Sequence, residues 1–347
     1  MSHAILLTLD VEDWFQVENF KHCIPFSSWP SCELRIEKNV HRILDLLDSI
    51  KLNNPTNSSN SSNSINSSNP NNPTNPTNSI NSSNSSNPSN PSNPTNPIAS
   101  RLAPNASIRA TFFVLGWLAE RLPHLIREIQ KRGHEVASHG YDHVLCREQS
   151  AEDLKNDLLK SKKLLEDITG APIYGYRAPG FSVNRDTLSL IEGAGYLYDS
   201  SFNSFRLNKR YGQIELNGND GNGILHNISD SFYELPISNL KIAKQVIPWG
   251  GGGYFRLIPL SIFRQGVEKI LKQHGAYLFY LHPWEVDSDQ PRVAEIPRSF
   301  KFRHYLNLDK TYSKLSDLLN SFKNYRSSTC FQYITQVTQQ NQRTQQS

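Results

Sequence analysis

Short apolar runs that stop at polar or charged residues recur along the chain, and the stretches between them carry apolar residues at helical spacing. Ala4 to Leu9 stops at Asp10, Arg109 to Leu115 is nearly all apolar, and Ala276 to Leu281 stops at His282. Runs of this length predict buried strands. His134 to Ala137, the stretch from Ile173 into the turn at Pro179-Gly180, and Tyr196 to Asp199 predict further strands. Between them, Glu37 to Ile50 places Val40, Ile43, Leu44, Leu46 and Leu47 on one helical face. Pro123 to Lys131 begins on proline and is followed by Gly133, the usual asymmetry of a helix. Ser150, with acids behind it, opens a helix whose face is Leu154, Leu158, Leu165 and Ile168 and whose stop is Gly170. Thr187 to Glu192 and Ile262 to Lys272 complete the helical set. Strands that alternate with helices, each strand ending in polar chemistry, predict a parallel β/α barrel.

Two segments break the pattern. Residues 53–98 contain only Asn, Ser, Pro and Thr apart from Ile65, Ile80 and Ile98. Such a segment has almost no surface to bury against a backbone ordering cost of about 1–2 kcal/mol per residue, so it is expected to be disordered. It fills a helix-to-strand connection, opposite the strand carboxyl ends, where long loops cost little. The Gln-rich end, residues 335–347, is expected to be a loose tail. The organisation that follows is one α/β unit from residues 1–52 and 99–295, with an extension over 296–334 packing on it.

Net charge is +4 with histidines neutral, and no basic run stands out, so nucleic acid is not implied. Cys23, Cys32, Cys146 and Cys330 show no CxxC spacing; Cys23 and Cys32 are close enough to pair, but four reduced thiols are the simpler reading. The first residues lack a basic region and a long apolar stretch, and no run reaches membrane-spanning length; a cytoplasmic protein without a transmembrane segment is expected.

The chemistry gathers at strand ends. Asp10, Glu12 and Asp13 follow the first strand, and three carboxylates there are costly unless cations or donors offset them. His139 and His143 follow the third strand at a spacing that brings both to one side of a turn. Two imidazoles make half of a zinc site, and a carboxylate must come from elsewhere. A His-x3-His pair alone is weak, and its weight comes from the groups around it. The glycines at 250–253 lack the Lys-Ser/Thr of a phosphate loop and predict a tight loop near the cleft.

Asp10-Val11-Glu12, Ala110-Thr111-Phe112-Phe113, His139-x3-His143, Arg177-Ala178-Pro179-Gly180 and Leu281-His282-Pro283 stand in this order. In this the chain resembles the polysaccharide deacetylase family (NodB homology, carbohydrate esterase family 4), over nearly all of its length outside the insert and tail. Asp-Val-Glu-Asp-Trp at 10–14, the stretch Gly251 to Arg256, and Phe302-Arg303-His304-Tyr305 resemble the subfamily of exopolysaccharide and PEP-CTERM loci that carries a DUF3473 region.

The resemblance implies a distorted (β/α)7 barrel and metal-dependent hydrolysis of N-acetyl groups on N-acetylhexosamine units of a polysaccharide or its precursor, most simply with Zn2+. It implies Asp10 as general base, His282 as general acid, and Arg177 as the residue holding the base. His139 and His143 are implied as metal ligands, and Gly180, with Pro179, as the oxyanion turn. The usual first motif is Asp-Asp with the second Asp on the metal. Val11 cannot ligate, so Glu12 is the implied third ligand, with Asp13 in reserve. Asp199 is expected to tune His282, and Trp284 to face substrate or core. The roles agree with the chemistry: a bound Zn2+ polarises a carbonyl and acidifies water, a carboxylate takes the water proton, and a histidine protonates the leaving amine. Two alternatives stay open, a hydrolase of a small non-sugar amide and a non-catalytic carbohydrate binder. Intact Asp10, Arg177 and His282 argue against the binder, which needs no acid/base pair.

Overall fold

The structure is a computed structural model and describes residues 3–53, 107–205, 211–212, 214, 216, 223–243 and 245–345. Apart from Asn53, the low-complexity insert expected over 53–98 lies outside the described residues.

Strand β1 (Ala4–Val11) leads through two short turns to α1 (Ile36–Ser49). Then follow β2 (Ala110–Val114), α2 (Gly116–Arg121), α3 (Pro123–Lys131), β3 (Glu135–Ser138), α4 (Ala151–Thr169) and β4 (Gly175–Tyr176). The chain continues with α5 (Arg185–Gly193), β5 (Tyr198–Asp199), β6 (His226–Asn227), β7 (Tyr233–Glu234) and the hairpin β8 (Asn239–Ile242) and β9 (Gln245–Pro248). It closes with α6 (Gly252–Leu257), α7 (Leu260–His274), β10 (Ala276–Leu281), α8 (Arg298–Tyr305), α9 (Leu308–Ser321), β11 (Arg326–Ser327) and α10 (Cys330–Gln345).

One sheet runs in the order β10-β1-β2-β3-β4-β5-β7-β6, parallel throughout except for β6, with β11 added beside β1. It curls into a distorted (β/α) barrel. The seam beside β10 is filled by irregular chain: Leu278 N–H donates to Ser238 Oγ (2.9 Å) and Tyr280 N–H to Gly250 O (2.7 Å).

Strand parity sorts the core. Ala4 and Leu6 of β1, Phe113 of β2, Ala137 of β3 and Leu278 of β10 point into one apolar cluster, the barrel interior. Leu7, Leu9 and Val11, Phe112, Val136 and Phe279 belong to the other, between sheet and helices. Both faces are buried, which is why these strands read as continuous apolar runs. Strand β4 is only two residues long and passes close to β5. An added Cβ on Gly175 would lie 2.2 Å from the Tyr198 ring, so only glycine admits this approach.

The Gln-rich end differs from the expected loose tail. Residues 330–345 form α10, with Cys330, Tyr333, Ile334 and Val337 buried in the interior cluster. Cys330 N–H donates to Thr111 Oγ1 (2.9 Å) and Phe331 N–H to Glu135 Oε2 (3.1 Å), which seats the helix beneath the barrel, at the end opposite the strand carboxyl ends. Composition concealed the i, i+3, i+4, i+7 spacing of those four residues. All four cysteines are free thiols. Among the described residues, no helix is long and apolar enough to cross a membrane.

Candidate active site

Strand β1 carries Thr8 and Asp10 towards the barrel interior, while Val11 packs outward, 0% exposed. A tight turn in which Glu12 N–H donates to Asp10 O (2.9 Å) returns Glu12 over the mouth beside Asp10. Val11 is therefore a core residue between two carboxylates that line the cleft. Asp10 Oδ1 accepts from Arg177 Nη1 at 2.6 Å. The same nitrogen donates to Thr8 Oγ1 (2.8 Å), while Nε and Nη2 donate to Ser200 O and Ser200 Oγ, both 2.8 Å. The guanidinium also lies 4.0 Å from the Phe113 ring centroid. A fully buried guanidinium is tolerable only when paired this completely.

The loop after β3 brings the two histidines. His139 N–H donates to Val114 O (2.9 Å), and Gly116 and Trp117 N–H donate to Gly140 O and Tyr141 O at 2.8 and 2.9 Å. Gly140 takes φ 74°, and His143 itself takes φ 60°, a left-handed conformation uncommon outside glycine. Asp157 Oδ1 on α4 accepts from Tyr141 N (2.9 Å), between the histidines. Burial pushes the Asp157 carboxyl up to about 7, against that hydrogen bond. A carboxyl with a raised folded pKa loses stability as pH climbs from its unfolded value, 3.8, through its folded one. Asp157→Asn keeps the acceptor and removes the charge. Thermal melts should show the variant roughly 2–4 °C more stable than wild type near pH 8, with a smaller difference near pH 5. An equal difference at both pH values would remove Asp157 as the cause.

His139 Nδ1 lies 2.7 Å from Arg177 O and so carries the proton. Its Nε2 lone pair then faces Glu12 Oε1 at 3.0 Å, and His143 Nε2 stands 3.1 Å from the same oxygen. Acceptors this close require protons or a cation between them. All three donor atoms lie within 4.8 Å of one another, on buried residues. Two imidazoles and a carboxylate, one imidazole already oriented by a carbonyl, suit a zinc-type ion. In the protein alone, burial raises the Glu12 carboxyl, but His143, His282 and His139 outweigh it and hold it well below the usual range. His143 is raised in turn: burial opposes its charge and Glu12 favours it.

Asp13 faces away from this cluster. Its Oδ2 accepts from Arg35 N (2.7 Å) and Ile36 N (2.9 Å) at the start of α1, and its Oδ1 from Trp14 N (2.8 Å). His282, after β10, places Nε2 3.9 Å from Asp10 Oδ2 and 3.8 Å from Glu12 Oε1. Burial opposes its charge, yet Glu12, Glu285 and Asp10 push it up to about 9. Asp10, Glu12, His139, His143, Gly180 and His282 line one cleft. Gly180 takes φ 58°, a left-handed conformation that favours glycine, and an added Cβ would sit 2.8 Å from Leu145 Cδ2, which would have to shift. Trp284, 5% exposed, also lines the cleft and stacks between His282 and His304, with centroids 5.3 and 4.2 Å apart.

Two expectations need correction. Asp199 is not a partner of His282. It is fully buried, accepts from Ser201 Oγ (2.7 Å) and Ser201 N (3.1 Å), and bonds Glu234; burial pushes both carboxyls up, Asp199 to about 6. The carboxylate on the His282 ring is Glu285, with Oε1 2.8 Å from Nδ1. Pro179 shapes the turn, its carbonyl accepting from Ser182 Oγ (2.8 Å), while Ala178, Gly180 and Phe181 line the cleft. Glu285 was visible only as the fourth residue of His-Pro-Trp-Glu, and its neighbour Arg256 only as the end of the glycine stretch.

Comparisons with known proteins divide the chain in two. A family model described as polysaccharide deacetylase matches residues 91–198, and one described as a domain of unknown function, DUF3473, matches residues 200–332. Asp10 and Glu12 precede both matches, while His282 falls in the second. A peptidoglycan-N-acetylglucosamine deacetylase of Bacillus cereus is 36% identical over 87 residues, 25% of this chain and 40% of that protein. A chitooligosaccharide deacetylase of Azorhizobium caulinodans is 29% identical over 90 residues, 26% of this chain and 43% of that protein. The chain thus spans less than half the length of these relatives. A candidate polysaccharide deacetylase of known structure from Mycobacterium smegmatis superposes with TM-score 0.54 at 17% identity, over 97% of this chain and 91% of that one. At that identity the likeness is one of fold.

Proposed function

We propose that this chain, whose residues 91–198 match the polysaccharide deacetylase family, is a metal-dependent hydrolase that removes N-acetyl groups from N-acetylhexosamine units of a polysaccharide or its precursor, in exopolysaccharide synthesis. One observation carries the proposal: groups from four strand ends, Asp10 and Glu12, His139 and His143, Ala178 and Gly180, and His282, converge on a single cleft.

Glu12, His139 and His143 would hold the ion, most simply Zn2+, which when bound polarises the scissile carbonyl and acidifies water. Asp10 is the general base. Arg177 engages its Oδ1, which leaves Oδ2 towards the cleft to accept the proton of the attacking water. His282 is the general acid, with Nε2 on the cleft side of the ring to protonate the departing amine. The Gly180 N–H, on the cleft wall, is the backbone donor for the oxyanion. Trp284 supplies an aromatic wall.

The test is acetate release by the zinc-loaded protein from a panel of N-acetylated oligosaccharides and small amides. The expected result is stoichiometric acetate and free amine from at least one N-acetylhexosamine oligomer. Turnover confined to a small non-sugar amide would replace the proposal with that alternative, and no turnover on any member with full zinc would leave the non-catalytic reading.

A further inference from the structure

The segment that matches a domain of unknown function supplies one wall of the cleft: Gly252, Gly253, Arg256, Trp284, Arg303 and His304. Within that wall a chain of hydrogen bonds ends on His282. Glu285 Oε1 accepts from His282 N–H (3.1 Å) and stands 2.8 Å from His282 Nδ1. Glu285 N–H donates back to His282 O (2.9 Å). Its Oε2 accepts from Arg256 Nε at 2.7 Å. Arg256, on α6, donates from Nη1 to His304 O (2.7 Å) and Leu306 O (2.9 Å), and from Nη2 to Arg303 O (3.0 Å). These are carbonyls at the carboxyl end of α8, which helix geometry leaves without partners and which favour a cation. Asn307 Nδ2 donates to Arg256 O (3.0 Å) and closes the loop.

Glu285 is 0% exposed and Arg256 3%. Three donors occupy both Glu285 oxygens, so Glu285 has none to offer a substrate and acts through His282. A carboxylate beside Nδ1 requires a proton on Nδ1, and this directs Nε2 to Asp10 and Glu12. Trp284 fixes the plane of the ring by stacking, with planes 25° apart, and Glu285 fixes its rotation.

We infer that Glu285, anchored by Arg256 to the end of α8, is a positioning residue that sets the rotation of the His282 ring and keeps a proton on its Nδ1, and that residues 200–332 thereby complete the active site rather than form a separate module. This rests on the reading of His282 as proton donor. Second-sphere carboxylates of this kind act by fixing ring orientation, and their loss typically costs about 10–100-fold.

Glu285→Gln is the informative variant. Both Glu285 oxygens face donors, so whichever way the amide turns its NH2 group opposes one of them, either Arg256 Nε or the His282 backbone N–H together with Nδ1, and the hold on the ring is lost at one end. The expected result is kcat lower by about 10–100-fold, KM within about threefold and metal content unchanged. Ring-15N histidine spectra, with His282 assigned by its absence in His282→Asn, should show Nδ1 protonated and hydrogen-bonded in wild type and its resonance shifted in Glu285→Gln. A kcat within about threefold of wild type overturns the inference, and so does a lowered kcat with the Nδ1 resonance unchanged from wild type. Should Glu285→Gln not fold, the wild-type spectrum decides alone, and an unprotonated Nδ1 there overturns it. Should no acetylated glycan prove a substrate, the spectra still report the positioning, so failure of the proposed function and failure of this inference are distinguishable.

Discussion

Replacing Asp10 by Asn is expected to lower kcat for the proposed deacetylation by about 10²–10⁴-fold and to leave metal content unchanged, the loss that removal of a general base brings. Asparagine is the correct probe because of Arg177. Its amide oxygen can still accept from Arg177 Nη1, as Asp10 Oδ1 does at 2.6 Å. Alanine would leave the fully buried Arg177 guanidinium without its carboxylate, at about 3–5 kcal/mol, and would confuse unfolding with loss of chemistry. The amide nitrogen takes the place of Oδ2, the oxygen 3.9 Å from His282 Nε2, and cannot accept a proton. Metal content by elemental analysis and kcat on the best glycan of the panel are the two readings. A variant that loses its metal would make Asp10 a ligand, and one that keeps a kcat within tenfold of wild type would remove it as the base.

Glu12→Ala, His139→Ala and His143→Ala are each expected to weaken metal binding by at least about 100-fold, since each would remove one of about three protein donors from a zinc-type site. Asp13→Ala keeps the metal. The contrast follows from geometry, because Glu12 Oε1 stands 3.0 and 3.1 Å from the two imidazole nitrogens while Asp13 accepts three backbone N–H groups near α1. The cost of Asp13→Ala is in folding, about 3 kcal/mol for buried donors left unpaired, and denaturant melts should register it. Competitive titration with a zinc chelator measures the affinities. Loss of metal from Asp13→Ala with retention by Glu12→Ala would reverse the assignment.

Much of the barrel was legible in the sequence because its signals are local. The runs Ala4 to Leu9 and Ala276 to Leu281 are apolar at every position because both strand faces are covered, and Ser150 and Gly170 bracket α4 because a helix end must satisfy its own backbone groups. The order of the five motifs placed Asp10, His139, Arg177 and His282 at strand ends without any coordinates. Legibility failed where composition and periodicity disagreed. The glutamines of residues 330–345 suggested a tail, yet four apolar residues on one face were enough to seat α10 under the barrel, because the interior left an apolar opening there.

The sequence by itself determined which residue types stand at each strand end, since a strand's length and terminus follow from burial and turn chemistry within a few residues. Only the tertiary structure decided which of two similar groups meets which. Glu12 and Asp13 are adjacent carboxylates, and the backbone turn at Val11, not their chemistry, sends one to the histidines and the other to α1. Asp199 and Glu285 both follow strands of the same barrel. The one on the His282 ring is Glu285, because a tight turn folds it back three residues and Arg256, arriving from α6 and bound to α8, holds it there. A side chain's direction depends on contacts made by chain far away in sequence, and no local pattern encodes those contacts.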